Sequence, residues 1–193
     1  MRRAVVLSGH IRPQPVADES GPLCGVRILD MTQMVSGPMA TSLLGDQGAD
    51  VIKVESPNGG DQVRNMSMGM SSTFAIINRN KRSLAVDAKK PQGLDVIKRL
   101  AATSDVMVQN MRPGAAERMG LGYDDLCASG ANKGLIYVSI SGFGETGPYS
   151  QKRVYDPVIQ AVSGLASLQT GPNGRPSMMR CKTIAAAAAV RYC

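Results

Sequence analysis

Three stretches of this 193-residue chain combine residue types and spacing that could do chemistry. Arg79, Lys81 and Arg82 put three cations into four residues just ahead of the alternating pair Leu84 and Val86. Such a cluster at the mouth of a strand could grip a phosphate, and it could equally be a solvated turn. Gln109 and Asn110 end the apolar run Val106-Met107-Val108, which places two amides where open α/β sheets keep their ligand crevice. Gly142-Phe-Gly144-Glu-Thr-Gly147 follows a strand pattern over residues 135–140 and matches the dinucleotide fingerprint G-x-G-x-x-G literally. The context argues against NAD. Pro148 and the polar stretch 149–153 open no helix on the glycines, and no acidic residue follows Asp156 to hold a ribose hydroxyl.

Composition removes several other chemistries. His10 is the sole histidine and lies in a Gly/Pro-flanked segment, so neither a zinc site nor a Ser-His-Asp triad is expected. Cys24, Cys127, Cys181 and Cys193 show no C-x-x-C spacing, and Ala4 to Leu7 is too short for a signal-peptide core, which reads as free thiols in a cytoplasmic protein. No apolar run approaches the roughly 20 residues of a spanning helix, so no membrane is expected. The net charge of +7 and a pI near 9.5 suit a polyanionic partner, either nucleic acid or a phosphorylated small molecule. Aromatics make up only 4% and the basic residues are scattered, which speaks against nucleic acid.

The elements that must position these groups begin at residues 26–61. Val26, Ile28 and Leu29 form one apolar run, and Val51, Ile52 and Val54 form a second. Between them, Pro38 can occupy a first helical position and Gly48 can stop the helix, so a right-handed βαβ unit is the natural reading. Residues 56–73, rich in Ser, Gly, Asn and Met, read as a long loop. A strand over 83–87 follows. Pro91 then opens a helix whose Leu94, Ile97, Leu100 and Ala101 fall on one face. The strand at 106–108 leads through the Arg112-Pro-Gly114 turn into a short helix carrying Arg118. Residues 155–168 predict a helix after Pro157, with Val158, Ala161, Val162, Leu165 and Leu168 at helical spacing. The fold class is therefore α/β: an open, mostly parallel, Rossmann-like sheet of five or six strands flanked by helices. Residues 1–22 read as a loose extension, 23–182 as the domain, and 183–193 as a divergent alanine-rich tail.

Read together, several motifs resemble a known family. Gly25-Val-Arg-Ile-Leu-Asp30, Ser36-Gly-Pro38, Gly48-Ala-Asp-Val-Ile-Lys-Val-Glu55, Gly60-Asp61, Asn78-Arg-Asn-Lys-Arg-Ser83, Asn110-Met-Arg-Pro-Gly114, Ser141-Gly-Phe-Gly144 and Tyr155-Asp-Pro157 are similar to the N-terminal portion of the class III CoA-transferases, the CaiB/BaiF type. The resemblance implies transfer of CoA from an acyl-CoA to a carboxylic acid through an enzyme aspartate, with CoA as substrate and no resident cofactor or metal. It places Met34 and Val35 along the CoA site, Asn110 and Met111 beside the nucleotide, and Arg118, Arg153 and Tyr155 near the phosphates and pantetheine arm. Guanidinium groups suit phosphate because their donors form a fixed fork. Without the resemblance, Arg118 and Arg153 would read as surface arginines and Tyr155 as a core or interface residue. Ser56 follows Glu55 where some members carry a CoA-contacting arginine.

The resemblance also marks departures. The matching aspartate would fall near Ala185 or Ala186, and no Asp or Glu follows Asp156. Members are about twice as long and form interlocked homodimers, so this chain is expected to be an inactive fragment of doubtful assembly. Two alternatives follow: a member of the CoA-ester racemase branch, or a CoA-binding module without catalysis. The racemase reading lacks its usual His-Asp pair, because Tyr155-Asp156 stands there instead.

Overall fold

In the computed structural model the described residues are 21–65, 70–127 and 132–178. Strands β1 (Arg27–Asp30), β2 (Asp50–Glu55), β3 (Lys81–Ala85), β4 (Val106–Gln109) and β5 (Ile136–Ser139) form one sheet in the order β3-β2-β1-β4-β5. Every pairing is parallel, so "mostly parallel" becomes wholly parallel among the described residues, with five strands. The connections carry α1 (Ser36–Gly45), α2 (Met70–Ile77), α3 (Pro91–Ala101), α4 (Ala115–Arg118) and α5 (Tyr123–Cys127); α6 (Asp156–Val162) follows β5. Expectations for residues 1–20 and for the tail, including Ala185 and Ala186, lie outside the described residues.

Alternation along the strands divides the core between the two faces of the sheet. Leu29, Ile52 and Met107 stand side by side on one face and pack with Ile97 and Ala101 of α3, Leu121, and Leu126 of α5. Ile28, Val51 and Val108 form the other face, joined by Leu44 of α1. Fully burying a Leu, Ile or Met contributes about 1.5–3 kcal/mol. The helical spacing predicted after Pro91 is thus the spacing that delivers Ile97 and Ala101 to the first cluster.

Several local readings need correction. The stretch expected to be a loop at 56–73 contains a 3-10 turn at Gln62–Asn65 and the start of α2 at Met70. Apolar residues Phe74, Ile76 and Ile77 continue that helix, a signal the polar composition upstream obscured. α1 begins at Ser36, so Pro38 is its third residue, still in the first turn where a missing N–H costs nothing. The helix expected over 155–168 ends at Val162, because Gly164 takes φ 78°, a left-handed conformation that stops the helix before a 3-10 turn at Leu165–Leu168. Tyr155 is 68% exposed and so is not a core residue, and Leu168 is 81% exposed.

The cation cluster is the correction with most consequence. Arg79 pairs with Asp46, Arg82 with Asp50, and Lys81 turns inward. Its Nζ donates to Asp30 Oδ2 at 2.9 Å, to the Pro38 carbonyl at 2.7 Å and to Asn78 Oδ1 at 3.0 Å. Asp30, at the end of β1 on the α1 face, also accepts from Thr41 Oγ1 at 2.7 Å and from the Thr32 N–H at 2.8 Å. These cations tie β3 to β1, β2 and α1, so the residues read as a phosphate grip are spent on the fold.

Burial alone would push the Asp30 carboxyl up, but Lys81 and Lys53 with the Thr32 and Thr41 hydroxyls outweigh it and hold the group below the ordinary carboxylate range. Glu55 is held at about 2 in the same way, against burial, by the Arg64 and Ser83 donors and the Asp61 N–H. Burial lowers Lys81 to about 8 although Asp30 favours its charge.

Two predictions follow from the pairing. Lys81→Met leaves Asp30 buried without its counter-ion and should cost about 3–5 kcal/mol in urea unfolding, whereas Arg79→Met at the exposed pair should cost less than about 1 kcal/mol. Equal losses would show that the buried pair is not a principal support. For pH, a carboxyl depressed in the fold contributes stability that is complete above its unfolded value and is lost as pH falls through the folded one. Glu55 therefore predicts a falling unfolding midpoint from pH 4.5 down to about 2. Lys81, an ammonium depressed in the fold, predicts a rise from about pH 8 to 10.5, because the unfolded chain binds the extra proton there. Midpoints by circular dichroism across both windows test the two signs.

Candidate functional site

The order β3-β2-β1-β4-β5 reverses direction between β1 and β4, and open α/β sheets bind ligands beyond the carboxyl ends of their strands at that reversal. Here the two strand ends are joined by one side chain. Asn110, directly after β4, accepts from the Gln33 N–H at 2.9 Å through Oδ1 and donates to the Gln33 carbonyl at 2.7 Å through Nδ2. A carboxamide carries one acceptor and a donor side by side, so it can pair with both groups of one residue as a neighbouring strand would. The predicted residues Met34, Val35, Asn110 and Met111 thereby lie on two tied segments at the carboxyl ends of β1 and β4, where the ligand crevice of such a sheet is expected.

The loop between β1 and α1 is fixed elsewhere along its backbone as well. Asp30 takes the Thr32 N–H, Lys53 Nζ donates to the Thr32 carbonyl at 2.8 Å, and Asp61 Oδ1 takes the Met34 N–H at 3.2 Å. Met34 sits at φ 69°, a left-handed conformation that costs a residue with a side chain about 1–3 kcal/mol and persists only where its surroundings impose it. Gly37 explains the small residue in Ser36-Gly-Pro38. A Cβ there would lie 2.4 Å from the Thr32 Cβ, so only glycine lets the first turn of α1 close onto the loop.

β2 supplies the charges beneath this loop. Lys53 is 1% exposed in the middle of the apolar run Val51, Ile52 and Val54, and Asp61 is equally buried. Asp61 Oδ2 lies 2.9 Å from Lys53 Nζ, an ion contact whose angle falls short of a directed hydrogen bond. Glu55 holds the segment leading to Asp61. Its carboxylate takes both Arg64 donors, at 2.7 and 2.8 Å, the Ser83 hydroxyl at 2.7 Å and the Asp61 N–H at 3.1 Å. Ser56, at the position where an arginine was noted in some relatives, is exposed and its Oγ accepts from the Asn58 N–H.

On the β4 side, Gln109 Oε1 accepts from the Met111 N–H at 2.7 Å, and Gln109 Nε2 donates to Ser139 Oγ at 2.9 Å. Ser139 donates in turn to Glu145, linking the glycine-rich stretch after β5 to the crevice. No helix opens on those glycines; α6 begins only at Asp156. Arg118 closes α4, with its guanidinium against Gly114, and Arg153 and Tyr155 are exposed ahead of α6. Among the described residues no side-chain hydrogen bond or ion pair joins these three to the Met34 and Asn110 group. Sequence reading singled out Met34, Val35, Asn110 and Met111, which lie on the two tied segments, and passed over Lys53 and Asp61, which hold the first of them. The lysine inside a continuous apolar strand was the available signal, because a cation in such a run must find a buried partner.

Comparison with known proteins gives this arrangement its relatives. The sequence profile of CoA-transferase family III matches residues 23–193. Human succinyl-CoA:glutarate CoA-transferase is 49% identical over 170 residues, which are 86% of this chain and 38% of that protein. The succinate–glutarate CoA-transferase of Agrobacterium fabrum is 39% identical over 168 residues, 80% of this chain and 41% of its own length. Among solved structures, Rv3272 from Mycobacterium tuberculosis superposes with TM-score 0.82 at 36% identity, covering 89% of this chain and 48% of that one. A CaiB/BaiF family protein from Brucella suis gives TM-score 0.80 at 34% identity, covering 89% and 47%. The chain thus spans about two-fifths of the length of the curated relatives. By motifs, sheet order and profile alike, the chain belongs to CoA-transferase family III.

Proposed function

We propose that this chain forms the CoA-binding part of an enzyme that moves CoA between an acyl-CoA and a carboxylic acid. The observation that carries the reading is the clamp of Asn110 on Gln33 at the point where the strand order reverses, which holds Met34 and Val35 opposite Asn110 and Met111. CoA enters as a substrate, not as a resident cofactor. Arg118 and Arg153, exposed on the segments after β4 and β5, serve the phosphates, with Tyr155 along the pantetheine arm. The relatives named for succinyl-CoA and glutarate point to short dicarboxylic acids as the acyl classes exchanged.

Transfer itself requires a carboxylate that attacks the thioester and forms a covalent intermediate. No acidic residue follows Asp156 in this sequence, and Asp156 accepts from Gln160 Nε2 at 2.6 Å within α6. We infer that the 193-residue chain binds CoA without exchanging it. Residues 23–182 act as the binding domain, and the free Cys24 and Cys127 suit a cytoplasmic setting. Val162, Leu168 and Met178 are exposed apolar side chains, as expected of surface left uncovered when the interlocked homodimer implied by the resemblance is not completed.

Two measurements test this reading. Calorimetric titration of the folded chain should give a dissociation constant for CoA below about 1 mM, the upper end of ordinary substrate affinities, and Asn110→Ala should weaken it about tenfold while unfolding shifts by about 1 kcal/mol. No heat with CoA at several millimolar would refute the reading. Incubation with succinyl-CoA and glutarate, with hydroxylamine as trap, should show neither exchange nor an enzyme-bound adduct; an adduct mapped to Asp156 would contradict the inactive assignment.

A further inference from the structure

Resting on the CoA reading above, we infer that Lys53 and Asp61 are positioning residues for the ligand: one buried ion pair sets the backbone of the loop that meets CoA. The two members grip different groups of the same short segment. Lys53 Nζ holds the Thr32 carbonyl at 2.8 Å, and Asp61 Oδ1 holds the Met34 N–H at 3.2 Å, while the charged atoms themselves are 2.9 Å apart. The cation therefore fixes an acceptor and its counter-ion fixes a donor two residues later. Between these points Gln33 is turned toward Asn110, which takes both of its backbone groups. With residues 32, 33 and 34 each tied, Met34 has little choice but its left-handed φ of 69°.

Stability alone gives a poor reason for this pair. Burying two charges costs desolvation that their attraction does not reliably recover, and well-packed apolar residues of similar volume are often as stable. Asp61 Oδ2 has no directed donor, so this pair is not optimised even as a hydrogen bond. The neighbouring pair of Asp30 and Lys81 differs: Lys81 finds three acceptors and ties α1, β1 and β3 together. Asp61 Oδ1 also takes the Val63 N–H at 3.1 Å and so holds its own turn; what the pair adds beyond that is the shape of the loop carrying Met34 and Val35. Ligand binding gains when such groups are held in place before the ligand arrives.

The test uses the whole 193-residue chain, CoA as the probe, and amide hydrogen exchange beside calorimetry. D61N and K53M each leave one buried charge unpaired and risk unfolding, so the decisive variant is K53M/D61N, which removes both charges and keeps a carboxamide oxygen for the Met34 N–H. Leu126→Ala, a truncation of a buried core residue in α5 outside this network, should lower the unfolding midpoint and provides the stability comparison. The expected result is about tenfold weaker CoA binding in K53M/D61N, with faster exchange at Gln33 and Met34, whereas Leu126→Ala binds within about twofold of the parent. Parent-like affinity in K53M/D61N, or an equal loss in Leu126→Ala, would overturn the assignment alone. A parent chain that fails to bind CoA would overturn the CoA reading and this assignment with it.

Discussion

Charges buried at the carboxyl ends of β1 and β2 have to find partners where they stand, and most of the local structure follows from that constraint. Asp30 and Asp61 are essentially inaccessible, as is Lys53, and the side chain of Lys81 is 2% exposed. Removing one member would strand another in a medium that solvates charge poorly. The network consequently couples pieces of chain far apart in sequence: the β1–α1 loop, the middle of β2, the turn after Gly60 and the start of β3. The backbone that faces the crevice is the part of the fold with the fewest ways to rearrange.

That arrangement fixes the backbone of a loop more closely than apolar packing would. Side chains in a hydrophobic cluster fix volume, but they do not specify the direction of a peptide group. Carboxylates and ammonium groups do, because each must aim at a donor or an acceptor. The loop at residues 31–35 is held by side chains at both groups of Thr32, both groups of Gln33 and the N–H of Met34. Glycine enters at Gly37 for a spatial reason, since Thr32 occupies the space any side chain would need.

The sheet was legible in the sequence because its strands are continuous apolar runs, as strands covered on both faces must be. Ile28, Leu29, Val51, Ile52, Met107 and Val108 identified themselves, and Pro91 marked the start of α3. What misled was local charge. Arg79, Lys81 and Arg82 look alike in sequence, yet one is buried and two are paired at the surface, a distinction that depends on Asp30, Asp46 and Asp50 arriving from other strands and helices. The break at Gly164 was hidden by an apolar pattern that continued through it. Met34, Val35, Asn110 and Met111 were singled out through family motifs. The roles of Lys53 and Asp61 required knowing which side chains cross from one strand to the next.

The most direct measurement is a titration of the isotopically labelled chain with CoA, followed through backbone amide chemical shifts. If the crevice at the reversal of strand order is the binding site, the largest changes fall on Gln33, Met34, Val35, Asn110 and Met111, with smaller ones at Arg118 and Arg153. Changes confined to the surface of α3 around Lys98 and Arg99, or no changes at saturating CoA, would contradict it.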